Sequence, residues 1–361
     1  MSGRLDLRRG VVVSEQPLVV EVGGERRPAW ADPGLLGEMR EGDEVIVNAA
    51  ALDLGLGSGG FDVVHVNLTR GLGGGAPEGE HVMKLNYTSL QHPVAPVETG
   101  GRGAEGELGR ETGPADPKVA STEQTRPAVA VLPLHGHLAP AAWAAAQATP
   151  ELRVGYVQTG GGALPGAMSR DVRALRERGL LCGHFTVAPA YGGEHEALSV
   201  IGALDAAAAL GWDAALVGPG PGIIGSDTPY GHGGMAALDN AHAALSLGLP
   251  ALLSPRLSGA DPRDRHRALS HHTATVLELL LAPVTVAAPE IVAPEAGAAL
   301  SSLRAAAGTF HRLESTSCDL DAYAASGLPT TTMGRQLTED PLFFAAPLAA
   351  GNLLAELFQP V

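Results

Sequence analysis

A chain of 361 residues that is 45% hydrophobic has material for one large or two ordinary domains. Its formal net charge of −15 and a pI near 5.3 argue against nucleic acid or an anionic membrane as a partner. Two cysteines, Cys182 and Cys318, are too few for a disulfide framework and lack the spacing of a zinc site.

Aromatic residues make up only 4%, so the core has to be built from Ala, Val and Leu. The 48 glycines and 27 prolines fall mostly at turns between apolar runs, the mark of a loop-rich globular protein. The opening MSGRLDLRRG has no apolar signal region, and no apolar run is long enough to span a bilayer, so a cytoplasmic location is expected. Lysine occurs only at 84 and 118, so basic charge is carried by arginine throughout. Arg256, Arg263, Arg265 and Arg267 stand out as a local cluster.

Residues 1–97 read as a small all-β domain. VVVSE, PLVVEV, RRPAW, DEVIVN, FDVVHV and HVMKL are short β-rich runs separated by turn signals. In EGDEVIVN, Asp43 is placed to cap a tight turn, and alternation turns Val45 and Val47 inward. An SH3-like or OB-like barrel fits this pattern, with a small sandwich as the alternative. Up to residue 92 the segment carries 8 basic against 13 acidic residues, which favours a structural or partner-docking role over nucleic-acid binding. Residues 98–127 lack apolar periodicity and are rich in Gly, Glu, Thr and Pro, as in a flexible linker or surface loop.

From 128 to 361 the pattern changes to alternating strands and helices. Strands are expected at 128–134, 152–159, 182–189, 214–220, 250–255 and 284–289, with a short one at 310–314. Helices are expected near 138–149, 168–179, 194–210, 234–247, 270–281, 294–307, 319–326 and from 341. Short apolar strands joined by helical crossovers make a mostly parallel, doubly wound sheet flanked by helices. Right-handed crossovers then bring every strand-to-helix loop to the carboxyl edge.

Seven of the 13 histidines fall in those loops or at the helix starts they lead into: 135, 137, 195, 232, 266, 271 and 272. The loop TGGGALP carries Thr159, Gly160 and Gly161, and GPGPGIIGS carries Gly218, Gly220 and Gly222. Glycines there would let backbone N–H groups approach an anion; taken singly, each loop reads equally well as a tight turn. Neither is a Walker loop or a dinucleotide fingerprint, and GxSxG, HExxH, CxxC and EF-hand patterns are missing. On a helix His271 and His272 point about 100° apart, so one is expected to face the cleft and the other to make a structural bond. Ser270 is the expected N-cap.

LNYTSLQ, LPLHGHLAP, YVQTGGGALP, the GPGxxG loop, RLSGADPRDRHRALSHHT and TTTMGRQLTEDPLFF together resemble a bacterial family catalogued as domain of unknown function 3866. The resemblance runs from about residue 5 to 350, is most specific at ADPRDRHRALSHHT, and departs from the family in HGH at 135–137. It implies a shared two-part architecture and a shared site, and it adds Arg335 of TMGR as one more cation near the rim.

Three functional readings compete. In the first, a hydrolase or transferase holds an anionic small molecule with the glycine loops, Arg256, Arg265, His272 and Arg335. His266 or His271 acts as general acid or base, oriented by Asp227, Asp261 or Asp264. A variant adds a divalent transition metal such as zinc on some of His135, His137, His232 and His271. In the second, the same rim senses a metabolite or nucleotide without turnover, and the β domain relays occupancy to a partner. The third is a structural protein with solvated loop histidines. Ala-rich helices such as 141–148 could also pack against a second copy.

Overall fold

The structure, a computed structural model, describes residues 4–55, 59–73, 82–99 and 126–358. The chain divides into two compact units, Met1–Glu78 and Gly79–Val361. Most of the expected linker, 100–125, lies outside the described residues. The division falls before the expected end of the β domain at 97. Within the stretch between, Lys84 makes its hydrogen bonds in the second unit.

In the first unit β1 (Leu7–Glu15), β2 (Leu18–Val22), β3 (Glu25–Trp30), β4 (Glu44–Asn48) and β5 (Asp62–Asn67) form a closed barrel. The order is β1-β2-β3-β5-β4, with β4 returning antiparallel to β1. Short helical turns α1 (Pro33–Leu36) and α2 (Ala50–Asp53) lie between strands. Alternation buries Val45 and Val47 with Val12, Val20, Val22 and Val64. Asp43 accepts hydrogen bonds from the Arg40 N–H (2.8 Å) and Asn67 Nδ2 (2.9 Å) and pairs with Arg70. Those donors and the Arg70 charge outweigh its burial and hold the carboxyl below its ordinary pKa.

The second unit begins with the hairpin β6 (Val82–Lys84) and β7 (His92–Val94). The buried Lys84 ammonium donates to the carbonyls of Thr186 (2.8 Å) and Ala190 (2.7 Å) and pairs with Glu196.

Eight strands then build one sheet. They are β8 (Ala128–Val131), β9 (Val154–Thr159), β10 (His184–Val187), β11 (His195–Ala197), β12 (Ala214–Pro219), β13 (Ala251–Leu253), β16 (Thr285–Glu290) and β17 (Arg312–Ser317). The two-residue strands β14 (Leu257–Ser258) and β15 (Ala268–Leu269) form a separate hairpin, as do β18 (Thr331–Thr332) and β19 (Arg335–Gln336). The sheet order is β11-β10-β9-β12-β8-β13-β16-β17, and every pairing is parallel.

Both faces are covered. Ala128, Ala130 and Leu132 turn toward α3 (Leu138–Ala148), α4 (Arg170–Glu177), α9 (Leu320–Ala325) and α10 (Pro341–Glu356). Val129 and Val131 turn the other way, toward α5 (Val200–Ala209), α6 (Ala236–Ser246), α7 (His271–Leu279) and α8 (Ala296–Ala307). Strands buried on both faces read as unbroken apolar runs, which is why AVAV and AALV carry no alternation. The strand β11, expected within a helix, is the main misplaced element.

The winding determines where a site can form. The chain leaves β8 for α3 on one face, while its neighbours β12 and β13 lead to α6 and α7 on the other. Loops that part to opposite faces leave a crevice at the carboxyl edge beside β8. Among the described residues, no helix is long and apolar enough to cross a membrane.

Candidate functional site

Two stretches meet in that crevice: the loop after β12, ending at His232, and the run from Ser254 to the first turn of α7. Ser270 caps α7, its Oγ accepting the His272 N–H at 3.3 Å, so His271 and His272 are its first helical residues. Side chains in a first helical turn lean back toward the N-terminus. Both imidazoles therefore reach the cluster, contrary to the expectation that one would turn away. His232 stacks on His272 with ring centroids 3.8 Å apart and planes 10° from parallel. His271 lies 4.5 Å from His272 and 5.2 Å from His232, and His266 lies 4.8 Å from His272.

The partners of these rings assign their protons. Nε2 of His232 must donate to the Pro229 carbonyl (2.8 Å), which leaves Nδ1 with a free lone pair. Nδ1 of His272 faces Arg256 Nη1 at 3.5 Å; a guanidinium only donates, so this nitrogen too is unprotonated. Both Nδ1 atoms crowd Gly234, where a Cβ would stand 3.0 and 3.1 Å from them. His266 Nδ1 bonds Ser270 Oγ at 2.7 Å. Burial, reinforced by Arg256 and Arg263, holds His266 down at about 3. Burial also lowers His232, His271 and His272, with neighbouring histidine or arginine charge adding to it. All four are neutral imidazoles at neutral pH, the form that ligates metals.

One ring nitrogen each from His232, His271 and His272 can be chosen so that all lie within 4.8 Å of one another. Tetrahedral zinc with Zn–N near 2.0–2.1 Å needs nitrogens about 3.3 Å apart, so modest side-chain rotation would close the set.

Beside the imidazoles lies an arginine cluster around a buried carboxylate. Asp261 accepts from Arg263 Nε and Nη2 (both 2.9 Å), with Arg256 Nη2 at 3.4 Å and Arg335 Nη2 at 3.6 Å. Burial opposes ionisation of Asp261, but the Arg263 hydrogen bonds and the Arg263 and Arg256 charges prevail and hold its pKa far below the usual range. Arg256 is 2% exposed; burial lowers its pKa to about 10 against the pull of Asp261. Arg335 donates through Nε to Asp340 Oδ2 at 3.0 Å.

Buried polar atoms in folded proteins are nearly always bonded, so exceptions mark places that expect a partner. Seven buried side-chain nitrogens and oxygens lack one among the described residues. Asp32 Oδ2 belongs to the first unit. The other six are His137 Nε2, His232 Nδ1, Arg256 Nε, Arg265 Nε, His271 Nε2 and Arg335 Nη2, all contributed by this edge and the hairpin beside it.

Other expected site residues have different surroundings. His135 bonds Ser169 Oγ (2.8 Å), with Tyr156 OH at 3.4 Å, and His137 bonds Ser254 Oγ (2.9 Å), so neither stands in the set formed by His232, His271 and His272. Both sit in the turn that opens α3, on the opposite face from α7. Asp264 is solvated at 93% exposure beside Arg267, and Asp227 is 83% exposed, paired with Arg265 at 2.7 Å. The central carboxylates are Asp261 and Asp340 instead. In the sequence Asp340 reads only as an acidic residue at the start of the Pro341-led helix, with no site role.

The glycine loops pack on each other. A Cβ at Gly161 would meet the Gly233 carbonyl at 2.5 Å, one at Gly162 the Gly220 carbonyl at 2.1 Å, and one at Gly220 the Ala163 carbonyl at 2.2 Å. The Ala163 N–H is already bonded to the Pro221 carbonyl (2.7 Å). Close backbone approach accounts for these glycines and for Gly218, whose Cβ would touch Leu132 at 2.9 Å. Gly222 needs its positive φ of 71° in an open turn. Thr159, Gly160, Gly161, Asn240 and His232 help to line an open cleft of about 470 Å³, so one wall of this cleft is a member of the histidine cluster.

A family model described as protein of unknown function, DUF3866, matches residues 29–351, and the chain belongs to that family. No curated protein and no solved structure matches it.

Proposed function

We propose that the carboxyl edge binds an anionic small molecule next to a divalent transition metal, and that the protein is a metal-assisted hydrolase or transferase. The observation that carries this reading is the pair of buried, unpartnered ring nitrogens, His232 Nδ1 and His271 Nε2, in a cluster of neutral imidazoles. His232 has its remote N–H anchored on a carbonyl, as metal-binding histidines commonly do. A bound ion would supply Lewis acidity there. His266 stands beside the three ligands, tied to Ser270 and kept neutral by burial; at a pKa of about 3 it is a weak base, so it is placed to hydrogen-bond the molecule rather than to take its proton. The cleft along Thr159–Gly161 offers room for the body of the molecule.

The test is metal analysis of untagged protein after zinc titration and desalting, with roughly one equivalent expected. His232→Ala and His271→Ala should each lose it. Less than about a tenth of an equivalent in the unaltered protein would remove the metal from the reading.

A second reading, a sensor that binds without turnover, is favoured by one observation. Among the described residues no carboxylate orients a cluster histidine by a hydrogen bond; Ser270 does so instead. Thermal-shift screening against phosphorylated and carboxylated metabolites, followed by product analysis of the hits, separates the two. A stabilising compound recovered intact supports sensing.

A further inference from the structure

The arginine cluster carries more positive charge than its carboxylates cancel. Arg256, Arg263 and Arg335 face Asp261 and Asp340, three cations against two anions, and Arg265 is already matched by Asp227 at the surface. Arg263 is 41% exposed and meets solvent, but the other two do not. Arg256 is 2% exposed, the Arg335 side chain is 14% exposed, and each keeps a buried nitrogen with no hydrogen bond among the described residues, Nε on Arg256 and Nη2 on Arg335, the latter only within ion-pair reach of Asp261 at 3.6 Å. A buried ionised donor left unpaired is costly, and a fold tolerates two together where an acceptor arrives from outside. Arg256 also links this cluster to the imidazoles, with Nη1 3.5 Å from His272 Nδ1.

We propose that Arg256 and Arg335 receive a phosphoryl group, which places phosphate esters or phosphorylated metabolites as the ligands of this edge. The inference rests on the reading of the histidine cluster as part of the same site. The vacant donors come from two separate guanidinium groups, whereas a carboxylate is best matched by the fork of one. A tetrahedral oxyanion has oxygens for both arginines and would have one to spare for an ion held by His232, His271 and His272. One net negative charge supplied there balances the cluster, and a phosphate monoester brings between one and two.

Inorganic phosphate is the probe, titrated calorimetrically into the zinc-treated full chain, with acetate in a parallel titration. Phosphate should bind, and acetate should bind at least roughly tenfold more weakly. Arg335→Gln should weaken phosphate by roughly tenfold or more while zinc content and the circular dichroism spectrum stay unchanged. If that variant does not fold, Arg335→Lys keeps the charge beside Asp261 and Asp340, and it too should weaken phosphate binding because one point charge replaces the planar fork. Undiminished phosphate affinity in the variant that folds overturns the proposal. So does equal affinity for acetate, or no phosphate binding by a protein that holds zinc. If no zinc is retained yet phosphate binds and is lost in the Arg335 variant, the oxyanion site stands and only the metal reading fails.

Discussion

His232 and His272 reach each other from the loops of two sheet strands and stack at 3.8 Å, both turning an unprotonated Nδ1 toward the bare Cα of Gly234. Arg256 Nη1 already faces the His272 nitrogen at 3.5 Å, whereas the His232 nitrogen has no partner among the described residues. Gly234 is what keeps the space beside them open. A Gly234→Ala substitution puts a methyl group 3.0 Å from one nitrogen and 3.1 Å from the other. The φ at Gly234 is not in the left-handed region, so alanine is tolerated by the backbone. Zinc affinity should fall by at least roughly tenfold, about 1.4 kcal/mol, with little change in melting temperature. Unchanged zinc binding by this variant would place the metal elsewhere or nowhere.

Asp261 sets the arginines. Asp261→Asn leaves Arg256 buried with no compensating charge, and removing one partner of a buried pair costs about 3–5 kcal/mol. Urea denaturation at neutral pH should show a loss of that order. A shift below about 1 kcal/mol would mean that Arg256 finds solvent or another acceptor.

Acid should unfold the second unit early. His184 stacks on Tyr156 and donates Nε2–H to Gln158 Oε1 at 3.2 Å. Burial, with charge from His135 and Arg176 adding to it, holds its pKa at about 3 against an ordinary 6.5. Between those values the unfolded chain takes a proton that the folded one refuses. The stability is therefore complete above pH 6.5 and declines as pH falls toward 3, by about 1.4 kcal/mol per pH unit for each such site. His137 and His266, both held at about 3 with burial the largest cause, contribute in the same way. Urea midpoints at pH 7, 6 and 5 should fall progressively, and His184→Gln should flatten the slope by one proton. A pH-independent midpoint in this range contradicts the burial of these rings.

Gly155 and Trp212 test the sheet apart from its edge. A Cβ on Gly155 would stand 2.0 Å from Trp212 Cζ3, so Gly155→Ala must push the indole aside. Overpacking of this kind costs roughly 1–3 kcal/mol, to be read as a lower melting temperature at unchanged zinc stoichiometry.

Much of this architecture was legible in the chain. Apolar runs such as AVAV and AALV show strands covered on both faces, and EVIVN shows a half-buried barrel strand; both read correctly because burial leaves a periodic trace. The elements that escaped are short or held by distant partners. His195 and its neighbours become β11 by pairing with β10, and the two-residue strands carry too few residues to set a period. At the site, the winding rule brought the loops of His232, His266, His271 and His272 to one edge. It could not separate His135 and His137 from them, because both lie at the same edge and differ only in the face their helix takes. The glycine loops show the same limit: a glycine needed for close backbone packing and one needed for an anion look alike in sequence.

Asp340 precedes α10, a helix buried along nearly its whole length against α3 and the sheet. It accepts from Ser258 Oγ at 2.6 Å, the Gly259 N–H at 2.9 Å and Arg335 Nε at 3.0 Å. The carboxylate that steadies the arginine loop is thus translated well after the loop itself. During synthesis every histidine of the cluster leaves the ribosome before the residue that holds its surroundings in place. A nascent polypeptide halted short of Asp340 therefore carries the donors of the site without the carboxylate that braces them.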